Sequence, residues 1–255
     1  MKKPCRSDTV HSRCAEIAHL TKFFPLATLA DMKNSFLNRR LGYSYANYTL
    51  RLIIVNILVF ILTEYIYPSG YVLSGGQLYY TPGVTYYLAM RPALVMKGYV
   101  WQFISYMFVH SGVSHILFNM LGLFIFGSMV ERRIGSREFL LFYMLTGIVS
   151  GVFSFIAYMA AGTSAVSLVG ASGVIYGIML MFATFFPDAR IFVFGIFPVR
   201  APMLVIIYFA IELFSQIRGG GNVAHLTHLA GLGVAYLYSV LRFRIKPFSV
   251  WFGRR

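Results

Sequence analysis

Apolar residues run through this chain in long stretches, and polar residues interrupt them only at intervals. Six such stretches emerge, at roughly 50–67, 114–130, 138–160, 173–186, 201–217 and 224–241. Most approach the length of about 20 residues that a crossing of a hydrocarbon core of about 30 Å requires. The pattern therefore predicts an all-α membrane protein with six transmembrane helices. The fourth stretch is shorter. From Ser172 to Phe186 it rises about 22 Å at about 1.5 Å per residue. Pro187 and Asp188 fix its cytoplasmic end, so its other end, with Ser172, is expected to stop below the outer surface as a short, buried helix. The connection 68–113 between the first two stretches is long and rich in Tyr, Pro and Gly. Its aromatic residues, among them Tyr79, Tyr80, Tyr99, Trp101 and Tyr106, suit the headgroup boundary.

Composition supports the same class. Of 255 residues, 58% are hydrophobic and 12% charged, about half the charged share of a soluble domain. The net charge of +14 does not indicate nucleic acid, because no basic stripe interleaved with aromatics accompanies it. Instead it orients the chain. Nineteen Lys and Arg residues fall in the tails and in the second-to-third and fourth-to-fifth connections. Three (Arg91, Lys97 and Arg218) fall on the opposite side. Basic residues stay cytoplasmic, so both termini are expected there. Residues 1–49 then form a basic cytoplasmic tail, 50–242 the six-helix domain, and 243–255 a basic C-terminal tail. No apolar core of a signal peptide occurs in the first 49 residues. Cys5 and Cys14 form no C-x-x-C pair, and no cofactor or metal is indicated.

Polar groups inside lipid are costly and call for a reason. His115 and Asn119 open the second stretch, Ser172 the fourth, and His228 lies early in the sixth. Counting residues from the outer ends puts Asn119 and His228 each about 9 Å deep, level with the recessed Ser172. The chemistry open to them is acyl transfer. Ser172 needs a base to become a nucleophile, and His228 suits that work. Asn119 and His115 could donate hydrogen bonds to an oxyanion, and so could the Ser172 backbone N–H at a helix start. Gly170 and Gly173 keep the turn around Ser172 open. Tyr176, one turn on, faces the same side and is placed to stack on His228. No Asp or Glu is expected at this depth near His228, so the pattern reads as a Ser–His dyad. His225 competes for the role of base.

Gly170-x-Ser172-Gly173, His110-x4-His115-x3-Asn119 and His228-x2-Gly231, in this order, resemble the rhomboid family of intramembrane serine proteases. Glu131-Arg132-Arg133-x-Gly135 is similar to a cytoplasmic loop of that family. The resemblance covers about 50–242. It implies cleavage of transmembrane segments in single-pass or polytopic substrates, with Ser172 as nucleophile, His228 as base, and Asn119 and His115 as oxyanion donors. Three positions depart from the family's pattern: Thr227 where Ala is usual before the histidine, Ala235 where Gly is frequent, and Gln102 after Trp101 where Arg is usual. The bare six-helix plan favours a bacterial plasma membrane.

Close-packing glycines recur at Gly147/Gly151, Gly173/Gly177 and Gly231. The fifth stretch has no such surface and is expected to be the mobile wall where substrate enters. Two other classes compete. One is a non-catalytic rhomboid-like binding protein, but such relatives lack the Ser or the His. The other is a metal transporter using His110, His115, His225 and His228, against which stands the expected lack of a carboxylate ligand at that depth.

Overall fold

A computed structural model describes residues 42–164, 166–193, 195–218 and 224–253, with Ala224 given as backbone only. Most of the basic N-terminal tail, and the last two arginines, lie outside the described residues. The first helix, α1, spans Tyr48–Ile61 and continues through a π-helical turn, Leu62–Ile66. Its start is capped from a distance. The Glu131 carboxylate accepts the Tyr48 N–H at 2.7 Å and the Thr49 N–H at 2.8 Å, two of the donors a helix start leaves without partners. The Ser136 hydroxyl donates to the same carboxylate and accepts the Ala46 N–H at 2.7 Å. The Glu131 segment is thus a structural clamp at one end of the bundle.

The long first connection is more ordered than its composition suggested. It contains a hairpin of β1 (Gly70–Ser74) and β2 (Gln77–Thr81), turned by Gly75 and Gly76, both at positive φ. Three short helices follow, α2 (Val84–Leu88), α3 (Pro92–Val95) and α4 (Gln102–Ser105), then a 3-10 turn, Tyr106–Phe108. Tyr106 is 1% exposed, not interfacial, and donates to the Gly147 carbonyl at 2.8 Å. Gln102 is fully buried and anchors this connection. Its amide donates to the Tyr87 carbonyl at 3.1 Å and accepts the Arg91 N–H at 3.0 Å.

Next come α5 (Val113–Gly122), a π turn (Leu123–Gly127) and α6 (Ser128–Ile134), stacked as one span. Gly135, at φ 86°, breaks the span, and α7 (Ser136–Ala160) returns. Gly147 and Gly151 of α7 admit the side chains of Met107 and Tyr106. They therefore seat the first connection, not a neighbouring helix backbone as their spacing suggested. Helix α8 (Ser172–Phe185) is short, at about 21 Å, and most of its residues are buried. It ends before Pro187, which disfavours helical geometry in the residue ahead of it. A second hairpin, β3 (Arg190–Val193) with β4 (Phe197–Arg200), leads to α9 (Ala201–Ile217). Helix α10 (Ala224–Phe243) and a short α11 (Pro247–Phe252) complete the described chain.

Among the described residues, three helical spans are long and apolar enough to cross a membrane: Tyr48–Ile66, Val113–Ile134 and Ser136–Ala160. Helices α8 and α9 are shorter apolar helices. The outward faces carry large exposed apolar side chains such as Leu58, Phe118, Phe124, Ile156 and Phe214, a surface that water does not tolerate over such an area. Inside, α8 and α10 cross backbone to backbone. A Cβ on Gly231 would overlap the Gly173 carbonyl oxygen, and one on Gly177 would stand 3.0 Å from the Gly231 carbonyl oxygen. Helix α7 is tied to α10 by a buried ion pair, Arg242 Nε to Glu138 Oε1 at 2.6 Å, to which the Tyr238 hydroxyl donates at 2.6 Å. Helix α9 is held less closely. Ala201, Leu204, Val205 and Glu212 are its buried residues. Its seam with α8, α10 and α11 forms a half-open apolar cavity of about 560 Å³, lined by Val205, Phe209, Leu229, Leu232, Tyr236 and Trp251 among others.

Candidate active site

Ser172 stands at the first position of α8. The turn before it is pinned from the first connection. Leu168 and Met90 exchange backbone hydrogen bonds of 2.9 and 3.0 Å, and the Gly170 N–H donates to the Tyr106 carbonyl at 2.9 Å. Gly170 adopts φ 109°, a conformation that L side chains rarely take. A Cβ there would also stand 2.8 Å from His115 Nε2. Glycine is required on both counts, and it brings the His115 ring up to the Ser172 turn.

Across the α8–α10 crossing, His228 Nε2 lies 2.7 Å from Ser172 Oγ. His225, the competing histidine, does not bond to the serine. Tyr176 is one turn below Ser172, and its ring lies parallel to that of His228, with centroids 4.4 Å apart and planes 5° apart. The stack restricts rotation of the imidazole. His115 is the next element of the site. Its Nδ1 receives the Ser111 N–H at 3.4 Å and lies 3.1 Å from Ser111 Oγ. A ring nitrogen that accepts a backbone N–H carries no proton, so the neutral tautomer has its N–H at Nε2, facing Gly170. Asn119, one turn further along α5, donates from Nδ2 to the His115 carbonyl at 2.8 Å, which leaves a second N–H. His110 is fully buried and packs edge-on against His115, centroids 5.1 Å apart. Gly173 faces Thr227 of α10. The Thr227 hydroxyl in turn lies 2.6 Å from Ser154 Oγ, so the hydroxyl at this position bonds to α7.

A region model of the rhomboid domain matches residues 97–245, which is more than half of the chain. The chain belongs to the rhomboid family. Similar proteins include the mitochondrial RHOMBOID-like protein 12 of Arabidopsis thaliana, 30% identical over 54% of this chain and 45% of the relative. The rhomboid protease GluP of Bacillus subtilis is 33% identical over 51% of this chain and 23% of its own length. A second Bacillus subtilis protein, the candidate rhomboid protease YdcA, is 30% identical over 58% of this chain and 69% of its own. The chain spans less than half the length of the first two. With its apolar helices, this rhomboid is an integral membrane protein.

One expectation about the site does not hold. No Asp or Glu is expected near His228 from the sequence, yet Glu212 of α9 stands there. Its Oε1 lies 3.0 Å from His228 Nδ1, and its Oε2 lies 2.6 Å from His225 Nδ1. The Tyr176 hydroxyl also donates to Oε1. The 3.0 Å approach lies off the ring's N–H direction, so it is a charge contact and not an aligned hydrogen bond. The signal was present in the sequence: Glu212 is the one acidic residue within 201–217, and an ionisable group inside an apolar span marks a site by default. Glu212, His225 and His228 bring their ligand atoms within 4.8 Å of one another. A carboxylate thus stands beside these histidines, contrary to the expectation that weighed against a metal site.

Proposed function

We propose that this rhomboid is an intramembrane serine endopeptidase that cleaves transmembrane segments of membrane-protein substrates. The 2.7 Å approach of His228 Nε2 to Ser172 Oγ carries the reading. Ser172 Oγ attacks the scissile carbonyl carbon while His228 Nε2 takes the hydroxyl proton. The tetrahedral oxyanion is held by the His115 Nε2–H, the Ser172 backbone N–H at the head of α8, and the free N–H of Asn119. The imidazolium then returns its proton to the leaving amine as the peptide C–N bond breaks. Water, with His228 again as base, hydrolyses the Ser172 ester.

The protein crosses the membrane six times, with both termini in the cytoplasm of a bacterium. The six apolar stretches and the nineteen-to-three division of Lys and Arg support this. Substrate enters past α9, whose outer face is exposed and whose inner seam is incompletely filled.

The test uses the full chain reconstituted in liposomes with a panel of single-pass substrates. Wild type cleaves at least one, and Ser172→Ala cleaves none while inserting and folding normally. A fluorophosphonate probe labels the wild type only. Substantial cleavage by purified Ser172→Ala ends the reading. The Glu212–His225–His228 cluster supports a second reading, a metal-binding membrane protein. That reading requires metal uptake and no Ser172-dependent labelling.

A further inference from the structure

We propose that Glu212 is a positioning residue of the hydrolytic site: its carboxylate holds the His228 imidazole from behind and ties that base to the seating of α9. The inference rests on the endopeptidase reading above.

Glu212 is 5% exposed, the only acidic residue after Asp188, and lies in an otherwise apolar helix. A carboxylate in such a place is costly unless partners surround it. It has three, from two other helices: Tyr176 from α8, and His225 and His228 from α10. They define what it can do. For His228 to accept the Ser172 proton at Nε2, its own proton must sit on Nδ1. A carboxylate oxygen 3.0 Å from Nδ1 favours that tautomer, and it faces the positive charge that develops on the ring when Ser172 is deprotonated. Tyr176 works from the same oxygen, since it stacks on His228 and donates to Oε1. His225 fixes the other oxygen at 2.6 Å. The result is a Ser–His–Glu grouping built across α8, α10 and α9, its last contact off the axis of a hydrogen bond.

The third member lies on a helix that is packed less closely than α8. Ser172, Tyr176 and His228 belong to α8 and α10, which meet through glycine backbones. Glu212 belongs to α9, whose opposite face carries exposed Met203, Ile207, Ile211 and Phe214. A displacement of α9 withdraws the carboxylate and leaves the serine–histidine bond in place. The base is thus fully supported only while α9 is seated.

The experiment compares wild type, Glu212→Gln, Glu212→Asp and Tyr176→Phe in liposomes with one cleavable single-pass substrate, together with thermal stability and the rate of fluorophosphonate labelling. Losing the orienting carboxylate of a soluble triad lowers kcat by about 10⁴, and the off-line contact and the Tyr176 stack here reduce the expected loss in Glu212→Gln to about 10². KM stays within about twofold, and labelling slows with kcat, because the group acts in the chemical step. Glu212→Asp, charged but one methylene shorter, recovers part of the rate. Should Glu212→Gln fail to fold, Tyr176→Phe takes its place. It keeps the stack and the charge, loses one carboxylate partner, and is expected to lower kcat about tenfold with KM held. Wild-type kcat and labelling in a folded Glu212→Gln, or in Tyr176→Phe where only that variant folds, overturn the proposal and leave the endopeptidase reading intact. A wild type that neither cleaves nor labels removes both. Activity that a chelator abolishes and zinc restores makes Glu212 a metal ligand and overturns the positioning role.

Discussion

Replacing Gly231 by alanine tests how closely the α8–α10 crossing sets the distance between serine and histidine. The added methyl group would lie well inside the 3.0 Å that Cβ atoms keep from other heavy atoms, against the Gly173 carbonyl oxygen. That oxygen is backbone of a buried helix and has no rotamer to change. Relief therefore requires α10 to back away by about 1 Å or more, at about 1–3 kcal/mol for overpacking. His228 is three residues before Gly231 and travels with it. A shift of that size stretches the 2.7 Å Ser172–His228 bond out of hydrogen-bonding range, and a misplacement of about 1 Å in a catalytic group lowers rate about 10²-fold. Gly177→Ala supplies an intermediate step, because its Cβ would stand 3.0 Å from the Gly231 carbonyl oxygen and 2.9 Å from Thr146 Cγ2. Gly233→Ala is the control, with nothing within 4 Å of the new Cβ. The assay is cleavage of a reconstituted single-pass substrate, read alongside the melting temperature. The expected order of activity is Gly233→Ala equal to wild type, then Gly177→Ala, then Gly231→Ala. A Gly231→Ala protein with wild-type turnover and melting temperature would show that the close crossing does not set the site.

Other consequences follow from the same geometry. His115→Ala and Asn119→Ala should each lower kcat by about 10²–10³ with little change in KM; steady-state kinetics with unchanged kcat would make either residue structural. Glu131→Ala strands the half-buried Tyr48 N–H, the buried Thr49 N–H and the Ser136 hydroxyl. It should cost about 2–4 kcal/mol of stability, measured as a lower melting temperature with turnover retained at permissive temperature. The His110 imidazole, in the connection ahead of α5, is pulled down from its ordinary 6.5 to about 4, by burial first and by neighbouring His115 second. Between those values the unfolded chain takes up the proton before the folded one does. Stability is therefore full above about pH 6.5, falls as the pH drops toward 4, and has lost about 3 kcal/mol below it. His110→Gln should flatten that part of the pH–stability curve, and an unchanged slope would refute the assignment.

Much of this protein could be read one residue at a time. Stretches that stay almost wholly apolar for more than a few helical turns have no face suited to water, so the positions of the helices follow from composition along the chain. The same holds for the short α8, bounded by Ser172 and Pro187, and for Gly173, Gly177 and Gly231, which suit a crossing that leaves no room for side chains. Depth counting brought Ser172, His228 and Asn119 to one level, because a helix converts residue number into distance along its axis. Rotation about that axis and the pairing of helices are not fixed by such counting. Hence the spacing of Gly147 and Gly151 points to a helix neighbour, whereas they receive Met107 and Tyr106 from a connection whose path depends on hydrogen bonds to distant carbonyls. His225 and His228 are three residues apart on similar faces, and only the way α10 is turned toward α8 gives Ser172 to His228. Glu212 was visible as a charge in an apolar span, and depth counting from Ile217 would have put it about 8 Å in, near His228. Its partners come from two other helices, however. Only the packing of α9 against α8 and α10 turns an anomalous acid into the group that faces His228, His225 and Tyr176 at once.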